Sequence, residues 1–210
     1  MDKNKVTFGL SNVHIAFVQS GAGSAGVPAY DTPKPIPGAV GWTPAAETNE
    51  YKFHADNSVY YATFTDNGYK GDLEVAKFPD EIIAEMFGWI IDEIGGLVEL
   101  ADGKRKDFAL LAQIDGDVRN RRLVYYKCGG GKPSQSHTTT TEGIEVQTQK
   151  MPVIVMPIEV TIDGETRKLT KYVLERDAAK PGAAEAYDKF FENVYISVLT
   201  DEPETTGGGE

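Results

Sequence analysis

Short runs of period-two hydrophobicity, cut by turn dipeptides, govern what this chain can fold into. The segment Ser58–Trp89 (SVYYATFTDNGYKGDLEVAKFPDEIIAEMFGW) shows the pattern most fully. Tyr60, Ala62 and Phe64 alternate on one face of a predicted strand, and β-branched and aromatic side chains suit a half-buried pleated surface. Asp66-Asn67-Gly68 reads as a tight hairpin turn, because Asn-Gly tolerates positive φ. On the return strand Leu73 and Val75 share one face, and Asp72 and Glu74 share the other. Pro79 stops the strand. Asp80 and Glu81 then place negative charge on the first turn of a helix, where the backbone dipole favours it. Ile82, Ile83, Met86, Phe87 and Ile90 recur at helical spacing and give that helix one apolar stripe.

The rest of the chain repeats the strand-and-turn grammar. Val6 to Gln19 alternates, with Val13, Ile15 and Phe17 opposite His14 and Ala16. Ser20 to Gly41 is rich in Gly and Pro and reads as a long exposed loop. Strands are predicted at Glu50–His54 and Ser58–Thr65 around Asp56-Asn57. A further pair spans Trp89–Leu100 around Gly95-Gly96, and Phe108–Ile114 pairs with Arg121–Cys128 around Asp115-Gly116-Asp117. Gly129 to Gly143 is a second polar loop. Ile144–Gln149, Val153–Ile162 and Arg167–Leu174 read as strands, with Asp163-Gly164 as a turn. In the second of these, Ile154, Met156, Ile158, Val160 and Ile162 share a face. Pro181–Phe191 reads as a helix packing through Ala184, Tyr187, Phe190 and Phe191, followed by a strand at Asn193–Leu199. Residues 201–210 form a polar, Gly-rich tail. The sum is an α+β domain, predominantly antiparallel β: a β-sandwich or barrel with a flanking α-helix and long loops, spanning residues 1–200 with loops at 20–41 and 129–143.

Composition excludes several classes. A net charge of -11 argues against gripping nucleic acid through its phosphates. The lone Cys128 rules out an internal disulfide and fits a reducing compartment. No apolar run approaches the ~20 residues of a membrane span, and MDKNKVTFGL lacks the apolar core of a signal peptide.

Candidate chemical motifs dissolve on inspection. Gly21 to Gly26 matches G-x-G-x-x-G, but Pro28, Pro33, Pro35 and Pro37 forbid the helix that a dinucleotide site requires. His14, His54 and His137 are scattered, with no metal-ligand spacing. Cys128 reads as a small strand residue, although the glycines after it leave a reactive thiol open. Most acidic residues fall at turns or helix starts, which accounts for them without catalysis. The sequence therefore predicts no enzyme activity, no cofactor and no metal.

Three stretches resemble the major tail tube proteins of long-tailed, siphovirus-like bacteriophages of Gram-positive bacteria. They are VTFGLSNVHIAF, the segment from GWTPAAETNEYKF to DEIIAEMFGW, and KDFALLAQIDGDVRNRRLVYYKC. The resemblance covers most of residues 5 to 200. It implies a fold like that of phage tail tubes and type VI secretion tubes, hexameric rings stacked into a hollow tube, and DNA passing through the lumen without specific binding. It further implies a tape-measure protein, a tail-tip or distal tail protein and a tail terminator as partners. The expected location is the virion tail, assembled in the host cytoplasm. The family often adds an immunoglobulin-like domain, and PETTGGGE resembles the linker before one.

Carried onto this chain, the resemblance makes the strand pair Val59–Val75 part of the inner sheet, with Asp72 and Glu74 facing the lumen. Lys70 and Lys77 bracket these two and weaken a purely negative lining. It makes Lys132, Ser134, Gln135, His137 and Thr139 a ring-stacking loop, and Ser20–Gly41 a second contact surface. Two other classes stay open from residues alone. One is a monomeric carbohydrate-binding β-sandwich module that uses Tyr60, Tyr61, Tyr69 and Trp89. The other is a hydrolase with a carboxylate pair.

Overall fold

Strands buried on both faces form the middle of the molecule. The computed structural model describes residues 6–22, 27–139, 146–162, 165–176 and 180–196. The chain runs β1 (Leu10–Ala22), β2 (Pro28–Tyr30), β3 (Lys34–Pro35), β4 (Ala39–Ala55), β5 (Ser58–Val75), α1 (Asp80–Phe87), β6 (Ile90–Ile91) and β7 (Leu97–Val98). It continues through β8 (Phe108–Ile114), β9 (Arg122–Gly130), β10 (Gln149–Met156), β11 (Ile158–Ile162), β12 (Glu165–Leu169), β13 (Lys171–Leu174) and α2 (Ala183–Asp188). The main sheet has the order β2-β1-β8-β9-β10-β5-β4, with β3 also on β1 and β13 also on β9. All its pairs are antiparallel. β11–β12 and β6–β7 are separate two-stranded ribbons. This is the predominantly antiparallel β fold with a flanking helix that the alternation predicts.

The continuous apolar runs FALLA in β8 and LVYY in β9 explain the layering, since a strand covered on both faces needs no polar alternation. One face carries Val13, Ile15, Phe17, Phe108, Leu110 and Tyr125, together with Leu73, Val75, Met151 and Val153, closed by α1 through Ile82, Ile83, Met86 and Phe87. The opposite face carries Ala16, Ala109, Leu111, Val124 and Tyr126 under Ile158 and Val160 of β11 and under Ala183, Tyr187 and Phe190. Each large apolar side chain so buried contributes on the order of 1.5–3 kcal/mol. β1 and β4 come within 8 Å of each other although they lie far apart in the strand order. Residues 34–39 bridge them, with Ile36 N–H donating to the Val13 carbonyl and Ala76 N–H to that of Gly38. The sheet thus curls around its first core as a barrel.

α1 follows its sequence signals. Asp80 and Glu81 occupy the first turn, and Gly88, at φ 66°, closes the helix in a left-handed cap. Ile90 leaves the predicted stripe, because the chain has already turned into β6, where it is exposed.

Several expectations are corrected. Asp66-Asn67-Gly68 is no hairpin turn: β5 runs straight through it as one strand. The turn is Asp56-Asn57, both at positive φ, as a two-residue hairpin loop needs. At Gly68 the strand instead kinks, with φ 95° and a register shift opposite Ala46–Thr48. A Cβ there would stand 2.0 Å from the Val155 carbonyl oxygen, so close packing, not a chain reversal, demands the glycine. Much of the segment 20–41 is not a free loop. β1 extends to Ala22, β2 and β3 pair back onto it, and Ile36 is buried. The prolines there suit an edge position because they lack a donor.

Val153–Ile162 is not one strand. It breaks at Pro157 between β10 and β11, and the inward parity flips there. Val153 and Val155 are buried before the break and Ile158 and Val160 after it, leaving Ile154 exposed. Arg167–Leu174 likewise divides at Thr170 into β12 and β13. The predicted strand at Ile144–Gln149 reduces to the start of β10 at Gln149, its first two residues lying outside the described residues. Asn193–Ile196 is not strand, and the remainder of that prediction, with the tail 201–210, lies outside the described residues. So do Asp163-Gly164 and most of the G-x-G-x-x-G match. In α2 the buried alanine is Ala183, and Ala184 is exposed.

Candidate assembly surfaces

The inner halves of β4 and β5 belong to the barrel wall, with Tyr69–Val75 paired to β10. Among the described residues the outer halves, Thr48–Ala55 against Ser58–Asp66, pair only with each other. At ~3.3 Å per residue this arm reaches roughly 25 Å. Tyr51 and Phe53 sit opposite Thr63 and Tyr61 on one face, and Glu50 and Lys52 opposite Phe64 and Ala62 on the other. Both faces are open: Tyr60 is 75% exposed, Phe64 67% and Tyr51 57%. The Phe53 and Tyr60 rings meet edge-on, 6.4 Å apart. A two-stranded ribbon with apolar groups on two uncovered faces is marginal by itself and marks a contact surface.

Asp72 and Glu74 lie on the outward face of β5, as the alternation predicts, while Leu73 and Val75 are buried. Their neighbours change the electrostatics. Glu74 Oε1 accepts from the Thr148 hydroxyl at 2.5 Å, and Oε2 lies 3.2 Å from Lys150 Nζ. The Thr148 hydrogen bond, then Lys150, hold the Glu74 carboxyl below its ordinary pKa. Lys70 shares this outward face, so the wall is of mixed charge.

The predicted stacking loop lies against the body over the residues described. Ser134 pairs with Lys150, its N–H donating to the Lys150 carbonyl at 2.8 Å. The Lys132 ammonium pairs with Glu99 and sits 5.6 Å over the Trp89 ring. Lys132, Gln135 and His137 line a groove of about 760 Å3 with Phe78, Ile83 and Leu97. Thr139 is exposed at the end of the described stretch.

Cys128 is fully buried, and desolvation pushes its thiol pKa far above the ordinary value. Its inert reading holds. His14 stacks on Phe191 at 4.6 Å. No group of three or more His, Cys, Asp or Glu suited to a metal occurs among the described residues. No described helix is long and apolar enough to cross a membrane.

Sequence reasoning missed the arm's full length, because the Asn-Gly reading divided β5. It also passed over the β6–β7 tip, where Ile94 stands alone between Glu93 and Gly95. An isolated apolar residue inside a polar turn was the available signal.

These surfaces define an antiparallel β-barrel with a projecting β-arm. No family model matches the chain, and no curated protein matches it. Among solved structures it is similar to a chain of the anti-feeding prophage baseplate. That match has 9% identity and a TM-score of 0.43, covering 84% of this chain and 99% of that one. A chain of the PVC sheath/tube terminator, from an extracellular contractile injection system, gives 9% identity and a TM-score of 0.41, with 80% and 97% covered. Hcp1 from Salmonella typhimurium gives 9% and 0.31, with 81% and 99% covered.

Proposed function

We propose that this chain is a structural protein that self-assembles into a tube, the tail tube of a long-tailed phage. Its subunits form hexameric rings that stack, and DNA passes through the hollow centre. The observation that carries this reading is the β4–β5 arm, a long ribbon with aromatic residues on two open faces and no partner element among the described residues. A lone monomer gains nothing by exposing it, whereas a second copy can cover it. The resemblance of VTFGLSNVHIAF and the two longer segments to siphovirus-like tail tube proteins supports the same reading. It brings with it the tape-measure, tail-tip and terminator partners and the location in the virion tail.

The carbohydrate-binding alternative loses its platform. Tyr69 packs edge-on against Tyr125 and Trp89 lies against Phe87. Tyr60 stands at a register shift in the ribbon, its ring edge-on against Phe53, so of the four aromatics only Tyr61 is left without a ring contact among the described residues.

Negative-stain electron microscopy of the purified chain over a concentration series tests the proposal. Rings or tubes of uniform width are expected. Monomers at every concentration, with or without an assembled tail tip, would overturn it.

A further inference from the structure

We propose that the β6–β7 tip is a plug for a hollow on a second copy of this chain, with Ile94 seated over Gly129 beside Ile154. The inference rests on the tube reading, in that it takes another copy as the occupant.

The plug is pre-organised. Ile90 and Ile91 pair with Val98 and Leu97. Between them the Asp92 carboxylate accepts from Ile94 N–H at 3.1 Å and from Gly96 N–H at 2.6 Å. The Asp92 N–H donates to the Gly96 carbonyl at 2.9 Å. This tied turn holds Ile94 outward, 93% exposed. An Asx-type turn that fixes its backbone has already lost the freedom that docking would otherwise remove. Asp92 and Glu93 flank the isoleucine with negative charge.

The hollow has the opposite character. About 360 Å3 in volume, it is floored by Gly129–Gly131, Pro152 and Ile154 and rimmed by Lys70, Arg105 and Lys106. Gly129 keeps it open: a Cβ there would stand 3.3 Å from Ile154 Cγ1. Lys106 is engaged by Glu85 at 3.0 Å, and Asp107, the one acid on the rim among the described residues, faces Lys127 at 3.7 Å. Lys70, and Arg105 whose guanidinium also lies 5.6 Å over the Phe87 ring, face the incoming carboxylates. On a chain of net charge -11, a basic rim around an apolar floor selects an apolar knob with acidic flanks. Plug and hollow are different patches of one chain, so each copy offers one of each and the contact can repeat from copy to copy.

The test uses the full chain, with sedimentation velocity and electron microscopy reading assembly and thermal unfolding reading the fold. Ile94→Asp and Gly129→Val should each raise the concentration at half-assembly at least about tenfold, with the thermal midpoint held within about 2 °C. Glu93→Lys and Arg105→Glu should each weaken assembly, and the double reversal should restore it. Assembly of Ile94→Asp at wild-type concentrations overturns the plug while leaving the tube reading intact. Failure of the double reversal to restore what the single changes lose overturns the hollow as its receptor. A wild type that stays monomeric throughout removes both.

Discussion

Glu74 and Lys150 face each other across the β5–β10 pair, Oε2 to Nζ at 3.2 Å, on the same outward face as Asp72. One of the two acids proposed to line the channel is therefore already compensated by its own subunit. A wall of this kind, with Lys70 beside Asp72 and Glu74 paired to Lys150, repels DNA phosphates less than the chain's net charge of -11 alone implies.

Neutralising the wall should leave assembly intact and change DNA passage. Asp72→Asn with Glu74→Gln removes charge without removing the buried Leu73 and Val75 between them. Rings should form at wild-type concentrations, and ejection from reconstituted particles should slow, because Lys150 would lose its carboxylate partner and the face that also carries Lys70 would become net positive. Ejection at the wild-type rate would count against a lumen position for β5.

The same pair gives a pH dependence with a definite sign. The folded Glu74 carboxyl titrates below its ordinary 4.5. A depressed folded pKa contributes stability that is present above the unfolded value and lost as pH falls through the folded one. Glu74→Gln should therefore lower the thermal midpoint slightly at pH 6. The gap between wild type and variant should close as pH falls below about 4.5. A gap of equal size at pH 6 and pH 3 would show that the hydrogen bonds, not the charge, carry the effect.

On the arm, Phe53→Ser, Tyr60→Ser and Phe64→Ser together should abolish assembly while sparing the fold. These side chains are exposed and none belongs to either core. Surface changes away from packed features usually stay within about 0.5 kcal/mol each. Circular dichroism should show a normal unfolding transition, and sedimentation should show monomer only. Rings from the triple variant would remove the observation on which the proposed function rests.

What the sequence disclosed and what it hid follow from the range of the interactions involved. The β8–β9 hairpin was legible because Asp115-Gly116-Asp117 and two flanking apolar runs are local signals. α1 was legible for the same reason. The path of residues 28–36 was not, because its prolines look like loop until β1 supplies a long-range edge to pair with. The parity flip at Pro157 was hidden because an unbroken alternation of apolar residues does not say that two halves serve different cores. Of the candidate site, the outward facing of Asp72 and Glu74 could be read from alternation, while Lys150 as the partner of Glu74 required the β5–β10 register.

Gly68 is where local and long-range signals conflict, which makes it the sharpest test of the fold. Read locally, Asn67-Gly68 is a turn, and Gly68→Ala would then disturb only a hairpin tip. In the structure Gly68 is buried at φ 95°, its N–H donates to the Asp66 carboxylate at 2.9 Å, and its α-carbon packs against the Val155 carbonyl. Gly68→Ala must force both a positive φ on an L-residue and a separation of β5 from the end of β10, together on the order of 1–3 kcal/mol. Asn67→Ala, one residue away and exposed, should cost far less. Thermal unfolding of the two variants decides between the readings. A large loss at Gly68 alone fits a continuous β5, and small, equal losses would return the turn to Asn67-Gly68.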